Sequence, residues 1–265
     1  MIDAAGLVSD LTLLSADRAQ AALFFDIDGV LAPIRPRPEQ AEIPEETRSM
    51  LARLAETYGL VAVVSGRSLR SADAMVGIRS VVVVGDHGRE MRDSRGRISS
   101  VSDVDTAPLR LAAAEFSRDP RILAAGVRVE EKPGGVALHT RGLDRPEEAL
   151  KVALEVAAER ADASGLVARE GRMVVELRPP GVDKGSAVEV LLDRASSRAA
   201  LYVGDDSTDV DAMRVLARRR SSGLHVLLVG VRSGEMPEGL SELADHLVGQ
   251  GDVPWLLAQL LEGVA

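Results

Sequence analysis

The chain has 265 residues, 46% hydrophobic but only 2% aromatic, so its core must be built from Val, Leu, Ile and Ala. That favours an α/β protein over a β-sandwich and leaves room for one large domain, or a domain carrying a smaller insertion. With 32 Lys/Arg against 41 Asp/Glu, the formal net charge of −9 argues against nucleic acid or an anionic membrane as partner, and an anionic substrate would need a strong local positive site.

There is no cysteine, which excludes disulfides and thiolate chemistry. No signal peptide or apolar run of spanning length is visible, so a soluble, cytoplasmic chain is expected, with a monomer favoured. Residues 1–20 read as an amphipathic helix interrupted by acids. The stretch 23–33, LFFDIDGVLAP, opens with the apolar run Leu23, Phe24, Phe25 of a buried strand. It ends in Asp26 and Asp28, followed by Gly29 and Pro33. Ionised carboxylates at the end of a buried strand are costly unless compensated. A divalent cation such as Mg²⁺ would compensate them, and an Asp can also act as a nucleophile. The plainer alternative is an acidic cap on the next turn.

Residues 35–44 are Pro-rich and irregular. Met50, Leu51, Leu54, Ala55 and Tyr58 recur at helical spacing over 45–58, with Gly59 as a stop. A second strand, 60–64, ends in Ser65-Gly66-Arg67, and a third, 81–84, ends in Gly85-Asp86-His87-Gly88. This alternation predicts a doubly wound parallel sheet.

The rhythm changes after Arg97. A helix is expected at 107–116, and strands at 127–131 and 136–140 around Pro133-Gly134-Gly135. A helix at 145–160 follows, then strands at 166–169 and 173–177 around Glu170-Gly171-Arg172. Hairpins belong to antiparallel sheets, so 105–178 reads as an inserted α+β module, with Pro179-Pro180-Gly181 as its return hinge. The core would comprise 1–104 and 179–265. Its rhythm resumes with a helix at 184–193, a strand at 200–203 ending in Gly204-Asp205-Asp206, a helix at 208–219, a strand at 225–229 and a helix at 253–261. His225 and His246 carry no signal, and Arg218-Arg219-Arg220 reads as a solvated helix end.

Ligands of open parallel sheets bind beyond the carboxyl ends of the strands. Three predicted strands end in Asp26/Asp28, Ser65/Arg67, and Asp205/Asp206 with Asp209 close by, and Lys184 opens a helix that could face the same edge. Singly, Asp206 or Asp209 could merely cap a helix, and Ser65-Gly66 could be an ordinary turn. Together these groups suit phosphoryl transfer. Asp26 could attack phosphorus, and Asp28 could protonate the leaving oxygen and then activate water. Mg²⁺ could be held by Asp26, Asp205 and the Asp28 backbone oxygen, while Ser65 and Lys184 hold the phosphoryl oxygens.

In this order, Asp26-Ile27-Asp28-Gly29-Val30, Ser65, Lys184, and Gly204-Asp205-Asp206 with Asp209 resemble the phosphatases of the haloacid dehalogenase superfamily. The resemblance implies a Rossmann-like core with an inserted α/β cap. It implies Asp26 as nucleophile, Asp28 as acid/base, Ser65 and Lys184 on phosphate, and a Mg²⁺ site drawn from Asp26, Asp28 and Asp205, with Asp206 and Asp209 as supporting acids. The phrases DIDGVLAPI, VVSGRS, GDHGRE, EEKPGGVALHTRG, GRMVVELRPPGVDKGSAV and GDDSTDVDAM are similar to the trehalose-phosphatase family. Three departures are visible: Val30 for a usual Thr, Asp86 for a commoner Ser, Asn or Glu, and Val210 for a typical Glu. None removes a catalytic group.

That resemblance implies a sugar-phosphate substrate, trehalose 6-phosphate. Substrate contacts are expected from Arg67, His87 and Gly88 in the core, and from Glu131, Lys132, His139, Arg141, Glu176 and Arg178 in the cap. Strand alternation prevents all of the cap residues from sharing one face. The alternatives are the same chemistry on another sugar phosphate (sucrose phosphate, glycosyl-phosphoglycerate or a trehalose-like pseudodisaccharide phosphate) and a non-catalytic sugar-phosphate sensor.

Overall fold

The chain begins with α1 (Ala4–Ser15), which buries Leu7, Leu11 and Leu14, and a 3-10 turn (Arg18–Gln20) leads into β1 (Ala21–Phe25). The helix expected over 1–20 therefore ends at Ser15, and Asp17 falls in the connection. Next come α2 (Glu45–Thr57), β2 (Leu60–Val64), α3 (Leu69–Val76), β3 (Val82–Gly85), β4 (Glu90–Arg92) and β5 (Ile98–Ser100). The α2 helix starts with Glu45 and Glu46 in its first turn and buries Thr47, Met50, Leu51 and Leu54, one face at 3.6 periodicity. Then follow α4 (Ala107–Phe116), α5 (Pro120–Ala124), β6 (Arg128–Lys132), β7 (Gly135–His139), α6 (Pro146–Ser164), β8 (Val167–Gly171) and β9 (Val174–Arg178). The chain closes with α7 (Lys184–Ala195), β10 (Ala199–Gly204), α8 (Ser207–Ser221), β11 (His225–Arg232), α9 (Glu238–Leu243), β12 (His246–Gly249) and α10 (Val253–Glu262).

This computed structural model describes residues 4–35, 37–101, 105–132, 134–171, 173–233 and 236–262. It falls into two compact units, 1–101 with 183–265, and 102–182. Pro133 and Arg172, expected in the hairpin turns, lie outside the described residues.

The first unit holds an eight-stranded sheet in the order β12-β11-β10-β1-β2-β3-β4-β5. Six strands are parallel, whereas β4 and β5 pair antiparallel at one edge, so the sheet is not parallel throughout. That ribbon went unread because its strands are three residues long, and β5 is exposed throughout. Side-chain alternation builds the core on both sheet faces. Leu23, Phe25, Val61, Val63, Leu201 and Val203 pack with α1, α2, α3 and α10, while Ala22, Phe24, Ala62, Val64, Ala200 and Tyr202 pack with α7, α8 and α9.

Strand order reverses between β1 and β10: β2 and β3 continue one way, β11 and β12 the other. At such a switch point the connections leave in opposite directions and a crevice opens beyond the strand ends. Phe25 pairs with both Val203 and Val63, and the Asp26 N–H donates to the Val203 carbonyl at 3.0 Å. The residues just past β1 and β10 are therefore neighbours.

In the second unit four antiparallel strands run β6-β7-β9-β8. One face, with Val136, Leu138, Val175 and Leu177, is buried against α4, α5 and α6. Among the described residues no helix is long and apolar enough to cross a membrane.

Candidate active site

Asp26 lies directly past β1 and Asp205 directly past β10, while Asp209 sits one turn into α8. Carboxylate oxygens of all three lie within 4.8 Å of one another, and all three residues are buried. Lys184, the first residue of α7 and 1% exposed, donates to Asp26 Oδ1 at 2.9 Å and to Asp209 Oδ1 at 2.6 Å. Burial alone would lower the lysine pKa, but Asp209 and Asp26 together more than reverse this, so the ammonium stays charged. Burial pushes the Asp26 carboxyl well above its usual range; Lys184 pulls it back, and Asp209 and Asp205 push it up again.

Three carboxyl groups around one ammonium gather buried oxygen donors, the donor chemistry that suits a hard divalent cation. The turn after Asp26 runs close against Asp205. Gly29 adopts φ +82°, and a Cβ there would come within 2.2 Å of Asp205 Oδ2. A side chain at 29 would thus displace the acid. The turn is closed by Gly29 N–H to the Ala32 carbonyl (2.9 Å) and Ala32 N–H to the Ile27 carbonyl (2.7 Å).

The terminal acids divide by role. Asp206 caps α8, accepting from the Ser207 N–H at 2.5 Å, and it is not in the carboxylate cluster. Asp209 is in the cluster, but its oxygens are already taken. Oδ1 accepts from Lys184 and from the Tyr202 hydroxyl (2.7 Å), and Oδ2 from the N–H groups of Asp205 and Asp206 (both 2.9 Å). Four donors fill the four lone-pair positions of a carboxylate. Asp209 is therefore placed as an orienting group, and Asp26 and Asp205 are better placed to hold a cation.

Asp28 leaves the cluster. Both its oxygens are gripped by Arg67, whose Nε and Nη2 each donate at 2.7 Å, and the Asp28 side chain is 40% exposed. Ser65, past β2, is 1% exposed and accepts from the Arg67 N–H at 3.2 Å. The neighbouring loop after β3 is conformationally costly: Asp86 (φ +50°) and His87 (φ +55°) are both left-handed. Each such residue costs about 1–2 kcal/mol. The loop is tied by Asp86 N–H to the Arg67 carbonyl (2.7 Å) and His87 N–H to the Ser65 carbonyl (3.1 Å), and the His87 ring lies over Gly66. Gly88 (φ +108°) leaves no space for a Cβ, which would sit 2.2 Å from the Asp183 carbonyl oxygen. Gly88, expected as a substrate contact, seats the loop on Asp183, the residue that caps α7.

In the second unit, the sheet face opposite the helices is polar. Lys132 donates to Glu176 Oε1 at 2.8 Å, and Arg178 Nε donates to Glu176 Oε2 at 3.0 Å. His139 shares the parity of that face and meets Glu130 at 2.6 Å. Burial lowers the His139 pKa against the opposing pull of Glu130. Glu131 has the opposite parity and is exposed, and Arg141 is exposed in the turn beyond β7, so neither joins the group. Sequence reasoning missed Glu130, although it stands two residues before Lys132 and must share its face. It also missed Tyr202, a polar-tipped side chain in an otherwise aliphatic strand.

A model of the trehalose-phosphatase family matches residues 24–241. A probable trehalose-phosphate phosphatase of Sinorhizobium fredii is 34% identical over 214 residues, 78% of each chain. The trehalose-6-phosphate phosphatase of Escherichia coli is 31% identical over 245 residues, 90% of this chain and 86% of that one. Among solved structures, the C-terminal domain of the C. albicans trehalose-6-phosphate phosphatase superposes with a TM-score of 0.77 at 20% identity, over 97% of both chains. A haloacid dehalogenase-like hydrolase of Bacteroides thetaiotaomicron gives 0.62 at 15% identity, over 90% of this chain and 98% of that one. Both structural likenesses concern the fold.

Proposed function

The chain belongs to the trehalose-phosphatase family, whose members are phosphoric monoester hydrolases, and we propose that it hydrolyses trehalose 6-phosphate to trehalose and phosphate through an aspartyl-phosphate, with Mg²⁺ as cofactor. The observation that carries this reading is the buried contact of Lys184 with Asp26 beside Asp205, at the switch point of the sheet.

In the first half-reaction an Asp26 oxygen forms the bond to phosphorus as the bond to the sugar oxygen breaks, and that oxygen takes a proton from Asp28. In the second, water gives a proton to Asp28, its oxygen attacks the acyl phosphate, and Asp26 is released with inorganic phosphate. Lys184 and Ser65 hold the phosphoryl oxygens in position. Asp26 and Asp205 are the residues that would hold Mg²⁺, which when bound neutralises charge on the transferring group. Arg67 grips both oxygens of Asp28; an arriving phosphate offers Arg67 another bidentate partner and would release the Asp28 carboxyl for its task. The sugar is assigned to the polar sheet face of Lys132, Glu176 and Arg178 with His139 and Glu130, since a site that hydrogen-bonds a sugar's hydroxyls discriminates strongly between sugars.

Phosphate release from trehalose 6-phosphate, sucrose 6-phosphate and glucose 6-phosphate, in EDTA and after adding back MgCl₂, tests the proposal. The expected result is the highest kcat/KM on trehalose 6-phosphate and release only with the metal. Faster turnover of a monosaccharide phosphate, or full turnover in EDTA, would overturn it.

A further inference from the structure

Tyr202 is fully buried in β10, between Leu201 and Val203, and its ring stacks on Phe24 of β1 at 6.5 Å between centroids and 25° between planes. Phe24 and Tyr202 are register partners on one face of the sheet, yet only one carries a hydroxyl. A phenylalanine would fill the same apolar layer without desolvating a hydroxyl, so packing does not explain the oxygen. What the oxygen reaches is Asp209 Oδ1, at 2.7 Å. Burial and the adjoining carboxylate both raise the phenol pKa, so Tyr202 is permanently a donor.

That same Oδ1 also accepts from Lys184, at 2.6 Å, while Lys184 reaches Asp26 at 2.9 Å. The ammonium is thus shared between two carboxylates, and the phenol occupies part of the one that does not react. From this geometry we propose that Tyr202 is a positioning residue for phosphoryl transfer: by donating to Asp209, it limits that carboxylate's hold on Lys184 and keeps the ammonium directed at Asp26. Its hydroxyl acts through Asp209. Removing the hydroxyl leaves Oδ1, among the described residues, with Lys184 as its remaining side-chain donor and draws the ammonium away from Asp26, where transition-state charge needs it. The inference rests on the phosphatase reading, in which Asp26 is the reacting group, and it is independent of which sugar is bound.

The test is Tyr202→Phe, which removes one atom from the core. A packing control is Leu228→Val in β11, the register partner of Tyr202 on its other side, which makes no contact with Asp209 among the interactions described above. Both variants and the wild type are assayed on trehalose 6-phosphate and on p-nitrophenyl phosphate, alongside their melting temperatures. For Tyr202→Phe the expected result is a fall in kcat of about tenfold on both substrates, the scale of one lost hydrogen bond to a charged group, with KM unchanged. Leu228→Val should lose melting temperature and keep kcat. The proposal is overturned if Tyr202→Phe retains kcat within about twofold, if its loss lies in KM alone, or if Leu228→Val loses kcat in the same proportion to its melting temperature. Should the wild type turn over only p-nitrophenyl phosphate, the sugar assignment fails while the role of Tyr202 is still decided on that ester.

Discussion

Replacing Lys184 by Met keeps the length of the side chain and deletes its charge. In the native protein that charge is 1% exposed and lies 2.9 Å from Asp26 Oδ1 and 2.6 Å from Asp209 Oδ1. Without it the three carboxylates of the cluster lose their ammonium. Removing one partner of a buried ion pair costs about 3–5 kcal/mol, because the charges left behind have already lost their water. With about 2–4 °C of melting temperature per kcal/mol for a unit of this size, the variant should melt about 6–20 °C lower in EDTA. The gap should depend on pH in a definite sense. Asp26, already raised by burial, loses the one neighbour that lowers its pKa. The folded variant then binds protons more tightly than the unfolded chain. The stability this contributes is complete below the unfolded carboxylate pKa and is lost as pH rises through the folded value. The deficit against wild type should therefore widen from pH 5 to pH 8. Saturating MgCl₂ should narrow it, since the acids left without their ammonium should bind a cation more tightly than those of wild type, and the folded state that binds more tightly gains more stability. Scanning calorimetry in EDTA and in MgCl₂, at both pH values, makes the measurement. A melting temperature within about 2 °C of wild type in EDTA would refute the reasoning, because it would mean that the ammonium compensates nothing.

Asp26→Asn should abolish turnover while leaving the melting temperature within a few degrees of wild type, and substantial retained phosphate release would remove Asp26 from the nucleophile role. Gly29→Ala places a methyl group 2.2 Å from Asp205 Oδ2 at φ +82°. It should cost about 1–2 kcal/mol of stability and weaken Mg²⁺ binding at least about tenfold by calorimetric titration; unchanged Mg²⁺ affinity would disconnect Gly29 from the cation site. Lys132→Met removes one cationic partner of the buried Glu176, and should raise KM for trehalose 6-phosphate while sparing kcat on p-nitrophenyl phosphate. His139, lowered by burial, should titrate below 6.5 by NMR. The stability from its neutral form is complete above the unfolded value and lost as pH falls through the folded one, so a midpoint at or above 6.5 would contradict the burial argument.

Much of the active edge was legible before any coordinates. An apolar run that stops on an acid can end only where the sheet meets solvent or an ion, so Asp26 and Asp205 could be read as ends of buried strands, and the structure sets them side by side. Helix α2 was visible because Met50, Leu51 and Leu54 repeat at the helical period. The β4–β5 ribbon was not, because three-residue strands hold less than two periods of alternation.

Chain order and side-chain chemistry were enough to single out the acids that the fold gathers at one edge of the sheet, because carboxylates at the ends of apolar strands have few other ways to be tolerated. Only the tertiary structure decided how those groups divide their work. Asp209 is spent on four donors, Asp206 on a helix end, Asp28 on Arg67, and Glu130 rather than Glu131 joins the polar sheet face. The physical reason is that a carboxylate's role depends on which donors reach its lone pairs. Those donors (a phenol from β10, an ammonium from α7, backbone N–H groups past β10) come from elements that only the folded sheet places together.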